Sequence, residues 1–275
     1  MTEDNIAFIG GGNMATSLIG GLIADGFPND GIWVTDLDDQ KLAELQDRFQ
    51  VNTTSDNVLA VRRAETIVLA VKPQVMTPVI EGIASAAKSA APLVISIAAG
   101  VREPDIRSGF GYDAAIVRTM PNTPALLGCG ATALFANTYV SAEQRSRAEN
   151  VMRAVGITIW VDQESMLDTV TALSGSGPAY YFRLMELMEN IGVEMGLSRE
   201  SARALTVQTA LGAARMASET EDSPSVLRQR VTSPGGTTQA ALESLAAGGM
   251  EELITKALKA ARDRAVELGD ELGQG

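Results

Sequence analysis

Ile6-Ala7-Phe8-Ile9-Gly10-Gly11-Gly12-Asn13-Met14-Ala15 is the stretch that decides the fold of this chain. The apolar run predicts a buried strand, the glycines predict a tight loop, and the apolar spacing over residues 13–25 predicts a helix that Gly26 ends. The pattern G-x-G-x-x-A between a strand and a helix directs backbone N–H groups at a pyrophosphate. A glycine turn without a ligand is the alternative, and the strand–helix context favours a dinucleotide site.

Strands and helices continue to alternate downstream. Apolar runs predict strands at residues 32–35, 67–71, 93–98, 115–119, 131–135 and 157–161. Helices are predicted over residues 37–49 and 142–154. This alternation predicts an α/β fold with a parallel, doubly wound sheet, and we place the Rossmann-type domain at residues 1–162.

The remaining residues, 163–275, have a different pattern. Residues 169–220 and 238–272 are rich in Ala, Leu and Met with helical periodicity, which predicts an all-α domain. Residues 180–195 carry apolar side chains on nearly every face, more than a small helical domain can bury alone. We therefore predict at least a homodimer, formed through these helices.

Composition excludes several classes of function. A net charge of -12 repels the phosphates of nucleic acids, and the chain has no histidine, the commonest zinc ligand. A single cysteine, Cys129, cannot form an internal disulfide, which indicates a reducing, cytoplasmic compartment. Acidic Glu3 and Asp4 precede the apolar residues 6–23, so we interpret that segment as a buried strand and helix, not a signal or membrane segment.

Four further residues are candidates for cofactor contacts. Asp36 ends the second strand, where a carboxylate binds the ribose hydroxyls of NAD and repels the 2′-phosphate of NADP; a helix cap or turn is the alternative. Lys72 and Pro73 follow the third strand, either as a cofactor loop or as a solvated lysine beside a turn. Asn122, between two prolines, orients a ligand or bonds its own turn, and both interpretations stay open.

Two Ser/Gly-rich segments precede long helices. Residues 171–180 read Thr-Ala-Leu-Ser-Gly-Ser-Gly-Pro-Ala-Tyr, and residues 233–238 read Ser-Pro-Gly-Gly-Thr-Thr. Both are helix entrances, and the paired glycines of the second expose N–H groups that can hold a small carboxylate without any arginine.

These segments, in this order, closely resemble pyrroline-5-carboxylate reductase over residues 6–268, above all at residues 70–73, 173–178 and 231–238. The resemblance implies a Rossmann domain, a helical dimerisation domain, homodimers or rings of dimers, and hydride transfer from NADPH or NADH to the C=N bond of Δ1-pyrroline-5-carboxylate, giving proline. The implied cofactor contacts are Gly10, Gly11, Gly12, Asn13, Met14, Ala15, Asn57, Ala70, Val71, Lys72 and Pro73. The implied substrate contacts are Glu164, Ser233, Gly235, Gly236, Thr237 and Thr238, with Thr238 as the best-placed group to bond the ring nitrogen.

Two departures from the family stand out. Asp36 lies where relatives often have Ser or Arg around the 2′-phosphate, and Arg230 lies where relatives can have Asn. The choice between NADPH and NADH therefore stays open.

Two other functions are compatible with a Rossmann domain followed by helices. A β-hydroxyacid dehydrogenase would carry a catalytic lysine on the first long helix between the domains, yet no lysine occurs between Lys88 and Lys256. A regulator that binds nicotinamide cofactors without catalysis would not require a second anion site at residues 235–238.

Overall fold

The structure, a computed structural model, describes residues 5–273, which form two compact units. The first unit comprises residues 5–176 and 261–273, and the second comprises Gly177–Ala260. Residues 163–176 thus pack with the sheet, beyond the predicted boundary at residue 162. That boundary, as a division between functional domains, stays a prediction.

The first unit is built on a sheet that has eight strands within the described residues, in the order β3-β2-β1-β4-β5-β6-β7-β8. The strands are β1 (Ile6–Ile9), β2 (Ile32–Thr35), β3 (Asn52–Thr54), β4 (Thr66–Leu69), β5 (Leu93–Ser96), β6 (Ile116–Met120), β7 (Gly130–Ala136) and β8 (Gly156–Trp160). Neighbouring strands are parallel except β6 and β7, which are antiparallel. The Rossmann-like fold is confirmed, and the all-parallel sheet is corrected at this one pair.

Helices cover both faces of the sheet. They are α1 (Asn13–Ala24), α2 (Asp39–Phe49), α3 (Asn57–Val61), α4 (Met76–Ala90), α5 (Glu103–Phe110), α6 (Ala142–Arg153) and α7 (Met166–Val170). Alternate residues of β1 point to opposite faces: Ile6 and Phe8 join one buried core, whereas Ala7 and Ile9 join the other. The sheet is therefore doubly wound, as predicted.

Most predicted elements of this unit lie within two residues of the observed ones. Helix α2 begins at Asp39 instead of residue 37 because the Asp38 side chain accepts hydrogen bonds from the backbone N–H groups of Gln40 and Lys41 and caps the helix. The three-residue strand β3 carries polar side chains and was not predicted. A π-helical turn, Thr171–Gly175, follows α7 within the segment predicted as the entrance to a long helix.

The second unit is helical, as predicted. It contains α8 (Gly177–Glu194), α9 (Arg199–Glu219), α10 (Pro224–Arg230), α11 (Thr237–Ala247) and the first part of α12 (Met250–Leu272), whose residues from 261 onward belong to the first unit. On α8, apolar side chains are at least two-fifths exposed at Tyr181, Phe182, Leu184, Leu187, Met188 and Ile191. Within one chain these side chains lack a complete core, which agrees with the predicted association through these helices.

The described residues, 5–273, contain no helix that combines the length and the apolar character needed to cross a membrane.

Candidate active site

The glycine loop joins β1 to α1 at the carboxyl edge of the sheet. Gly10 has a φ of 107°, and its N–H donates to the carbonyl oxygen of Thr35 at 2.9 Å. A Cβ at Gly10 would lie 2.8 Å from the carbonyl oxygen of Ala70, so the position requires glycine for both its conformation and its contact. The loop is thus held against the ends of β2 and β4.

Helix α1 begins beside this loop without a side-chain cap. Gly12 is the N-cap residue, and a Cβ built there would meet no heavy atom within 4 Å. An uncapped helix start with open space in front of it can accept the pyrophosphate of a dinucleotide on its free N–H groups. Asn13, Met14 and Ala15 form the first turn of α1. The residues at this helix start therefore fit the predicted dinucleotide cofactor.

Asp36 contacts the glycine loop directly. Its Oδ2 accepts a hydrogen bond from the Gly11 N–H at 2.9 Å, and its Oδ1 accepts one from the Asp38 N–H at 3.0 Å. Lys41 Nζ lies 3.7 Å from Oδ2. Asp38 caps α2, so Asp36 is not the helix cap. The hydrogen bond from the Asp38 N–H to Asp36 is a turn contact, and the other oxygen of the Asp36 carboxylate faces the dinucleotide loop.

The other predicted cofactor positions lie near the same sheet edge. The Ala70 N–H donates to the carbonyl oxygen of Ile9 at 2.9 Å, so the segment after β4 begins beside the glycine loop. Lys72 is exposed and precedes a short 3-10 helix, Pro73–Val75. Asn57 is the first residue of α3, behind the capping residue Asp56.

Asn122 is engaged by the protein at both ends of its amide. Its Nδ2 donates to the carbonyl oxygen of Ser174 at 3.0 Å, and its Oδ1 accepts from the Ala131 N–H at 2.9 Å. These bonds connect the start of β7 to the π-helical turn. Asn122 thus fixes two segments of the first unit, which favours the structural interpretation of this residue over ligand contact.

An ion pair joins Arg118, a buried residue in the middle of β6, to the partly buried Glu164. Arg118 Nη1 donates to Glu164 Oε1 at 2.6 Å, and the same oxygen accepts from the Glu103 N–H, at the start of α5, at 2.5 Å. Arg118 Nε is buried and has no hydrogen-bond partner within residues 5–273. Among the residues that the structure describes, no donor is bonded to the other oxygen, Glu164 Oε2, and the substrate contact of Glu164 stays a prediction.

A cavity of about 190 Å³ lies beside Arg118 in the first unit. Its wall includes residues that follow β4 and β5, at the edge where doubly wound sheets bind ligands, together with residues of β6, of α7 and of the end of α12. Pro73, Gly100, Met120, Asp168, Thr171 and Leu268 are among the residues that line it.

Asp168, in the wall of this cavity, is a carboxyl group in a partly desolvated setting. Burial raises the pKa of the Asp168 carboxyl above its usual value, against the opposing influence of the Arg102 and Arg118 guanidiniums. Arg102 Nη1 lies 3.8 Å from Asp168 Oδ2 and Nη2 lies 3.0 Å from Asp270 Oδ1.

The loop of residues 233–238 lies in the second unit and leads into α11. Gly235 has a φ of 71°, and its N–H donates to Gln239 Oε1 at 2.7 Å. Gly236 is the N-cap of α11 and provides no side-chain cap. Among the described residues, the Thr238 hydroxyl has no hydrogen-bond partner, and it is half-buried. The free N–H groups of an uncapped helix start can bind a carboxylate, and the free hydroxyl can form a hydrogen bond with a second polar group of the same small molecule.

Comparison with known proteins decides the family. Residues 164–268 match the family described as pyrroline-5-carboxylate reductase dimerisation, and residues 5–100 match NADP oxidoreductase coenzyme F420-dependent. A pyrroline-5-carboxylate reductase of Pseudomonas aeruginosa is 49% identical over 274 residues, which cover 100% of both chains. The chain belongs to the pyrroline-5-carboxylate reductase family.

Solved structures of this family agree in fold. A pyrroline-5-carboxylate reductase from Coxiella burnetii has a TM-score of 0.94 at 48% identity and covers 97% of this chain and 98% of its own. The Plasmodium falciparum pyrroline carboxylate reductase, solved with NADP bound, has a TM-score of 0.85 at 28% identity and covers 98% of this chain and 99% of its own.

In this pyrroline-5-carboxylate reductase family member, the predicted cofactor residues lie at one edge of the sheet. The glycine loop contacts Asp36 and Ala70 directly, whereas the loop at residues 233–238 belongs to the second unit. Sequence reasoning missed Arg118 and gave Asp168 no role of its own. An arginine within the predicted apolar strand at residues 115–119 was the available signal, because a charge in a buried strand needs a partner.

Proposed function

We propose that this protein reduces the C=N bond of Δ1-pyrroline-5-carboxylate with NADPH or NADH and forms L-proline, the last step of proline biosynthesis. The observation that carries the proposal is family membership over the whole chain, with a relative that is 49% identical. Two uncapped helix starts, α1 and α11, support it, because the reaction needs one site for a pyrophosphate and one for a carboxylate.

The dinucleotide is assigned to the first unit. Gly10, Gly11, Gly12, Asn13, Met14, Ala15, Asp36, Asn57 and residues 70–73 would hold it. When bound, the reduced nicotinamide supplies a hydride from its C4 atom. The glycine loop and α1 contribute N–H donors, and the Asp36 carboxylate contributes an acceptor for ribose hydroxyls.

The substrate carboxylate is assigned to the start of α11. The N–H groups of Thr237 and Thr238 lie in the first turn of α11, where the helix dipole favours an anion, whereas the N–H of the capping residue Gly236 already donates to the carbonyl oxygen of Ser233 at 3.0 Å. Ser233 and Gly235 shape the loop that leads into this turn, while Glu164, the other predicted substrate contact, belongs to the first unit. Anchoring the carboxylate restricts the orientation of the imine ring, which favours a near-attack geometry for hydride transfer.

Thr238 is assigned to the ring nitrogen. The substrate accepts the hydride at C5 as the protonated imine, so a C–H bond forms while the C=N π electrons become the nitrogen lone pair. A threonine hydroxyl is a weak acid, and its role is therefore to orient the ring by a hydrogen bond, with water supplying the net proton.

Substitution at Thr238 tests this assignment. Thr238→Ala should lower kcat with saturating imine by about tenfold or more, which corresponds to roughly 1.4 kcal/mol of transition-state stabilisation. Thr238→Ser keeps the hydroxyl and should retain most of the activity. Thr255→Val, on α12, serves as a matched control for loss of a threonine hydroxyl. An unchanged kcat in Thr238→Ala would contradict the role.

The assembly and location follow from the same proposal. The match to the dimerisation domain supports a homo-oligomer, and we extend this to rings of dimers on the resemblance of the whole chain. Mass photometry at micromolar concentration distinguishes a dimer from a larger ring. The single cysteine supports a cytoplasmic location.

A further inference from the structure

The end of β2 carries an unusual concentration of negative charge. Asp36, Asp38 and Asp39 occupy three of four consecutive positions, and Lys41 follows two residues later. The Asp38 carboxylate is committed to the N–H groups of Gln40 and Lys41, and Asp39 is exposed in the first turn of α2. Three carboxylates against one ammonium leave this corner of the dinucleotide site anionic.

Asp36 is held in one orientation at this corner. Its side chain is 16% exposed, and its two oxygens accept the N–H groups of Gly11 and Asp38 at 2.9 and 3.0 Å. A Cβ built at Gly11 would lie 3.4 Å from Asp36 Oδ2, which shows how closely the carboxylate approaches the loop. The carboxylate cannot turn away from a ligand without leaving a backbone N–H unpaired.

The charge of Lys41 does not offset this arrangement. Lys41 Nζ lies 3.7 Å from Asp36 Oδ2, and its side chain is 49% exposed, so it already pairs with the carboxylate and is well solvated. A phosphate monoester at the 2′ position would bring close to two further negative charges. A free 2′-hydroxyl would instead donate a hydrogen bond to the carboxylate.

We infer that Asp36 is the specificity-determining residue of the cofactor site and that this protein selects NADH over NADPH. The inference rests on the proposed function, and it concerns the adenosine ribose of the cofactor only. It separates this chain from the Plasmodium falciparum relative, which was solved with NADP bound.

Cofactor kinetics test the inference. With saturating pyrroline-5-carboxylate, kcat/KM for NADH should exceed that for NADPH by about tenfold or more, equivalent to about 1.4 kcal/mol. Asp36→Asn removes the charge at nearly constant shape. It should lower the ratio of kcat/KM for NADH to kcat/KM for NADPH by about fivefold or more, mainly because kcat/KM for NADPH rises. Asp39→Asn removes the same charge from an exposed site and should change the ratio less than about twofold.

A binding measurement separates this inference from the proposed activity. Calorimetry on the wild-type protein without imine compares adenosine 5′-monophosphate with adenosine 2′,5′-bisphosphate. Tighter binding of the monophosphate supports the inference even if neither cofactor reduces the imine, which would contradict only the proposed function. Equal or tighter binding of the bisphosphate, a wild-type preference for NADPH, or an unchanged ratio in folded Asp36→Asn would overturn the inference.

Discussion

Arg118 and Glu164, 46 residues apart in the chain, form an ion pair at 2.6 Å in the first unit. The side chain of Arg118 is 7% exposed and that of Glu164 is 19% exposed. Glu164 Oε1 also accepts the Glu103 N–H at the start of α5. The pair therefore joins β6, the start of α5 and the segment before α7.

Loss of one partner of this pair should destabilise the first unit. Glu164→Gln removes the carboxylate that is hydrogen-bonded to the buried Arg118 guanidinium, and we expect a loss of about 3 kcal/mol in the free energy of unfolding, measured by urea titration. Arg118→Met combined with Glu164→Gln should recover part of the loss. Arg262→Met, which breaks an exposed pair with Asp263, should cost less than about 0.5 kcal/mol. A similarly small cost for Glu164→Gln would show that the pair is not structural.

The glycines of the dinucleotide loop should respond differently to alanine. Gly10→Ala forces a positive φ on a residue with a Cβ and places that Cβ against the Ala70 carbonyl, so unfolding free energy should fall by about 2 kcal/mol. Gly12 has a φ of -72° and open space at its Cβ, so Gly12→Ala should fold like the wild type.

Gly12→Ala should nevertheless bind the cofactor about tenfold more weakly, because the new methyl group occupies the space in front of α1. Quenching of protein fluorescence on titration with reduced cofactor measures this. Wild-type affinity in Gly12→Ala would place the pyrophosphate elsewhere.

Stability should depend on pH through Asp168. Burial raises the pKa of this carboxyl in the folded state, so the folded state holds its proton more tightly than the unfolded state. The stabilisation is fully present below the unfolded pKa and is lost as pH rises through the folded value.

Asp168→Asn should therefore raise Tm relative to the wild type at about pH 7.5, and this gain should disappear toward about pH 3.5. Thermal unfolding at both pH values provides the measurement. A lower Tm in Asp168→Asn at the higher pH would mean that the pairing with Arg102 outweighs burial.

Charge on the exposed face of α8 should disrupt association. Leu187 and Ile191, one helical turn apart, are 41% and 51% exposed within one chain. Replacing both with Glu places carboxylates in an apolar interface and should shift the protein to monomers at micromolar concentration, seen by light scattering after size exclusion. Arg62→Glu, on an exposed position of the first unit, is the control and should leave the mass unchanged.

The local sequence predicts the strands and helices whose bounds are set by apolar runs and by glycines. Ile6–Ile9 is an uninterrupted apolar run that ends in glycine, and the strand has those bounds. β4 stops at Leu69, two residues before the predicted end, because its partner β1 ends where the chain turns at Gly10. The antiparallel pairing of β6 and β7 was missed, although a parallel crossover needs about a dozen residues and the nine between Met120 and Gly130 are too few.

Contacts between distant residues lie beyond such reasoning. The proximity of Asp36 to the glycine loop can be predicted, because in a dinucleotide-binding fold the ends of β1 and β2 lie side by side. The ion pair of Arg118 with Glu164 depends on how the segment before α7 returns to the sheet, which no periodicity encodes. Only family resemblance predicts a role for Glu164, and nothing in the local sequence predicts its hydrogen bond to the Glu103 N–H.

The most direct test of the proposed function measures cofactor oxidation and L-proline formation in the same reaction. Purified protein is incubated with Δ1-pyrroline-5-carboxylate and either NADH or NADPH, and cofactor oxidation by absorbance is compared with L-proline formed by mass spectrometry. We predict equal molar amounts of oxidised cofactor and L-proline, no oxidation without the imine, and none with a 3-oxo acid in its place. Oxidation that proceeds without proline formation, or binding of the cofactor without any imine-dependent turnover, would contradict the assignment.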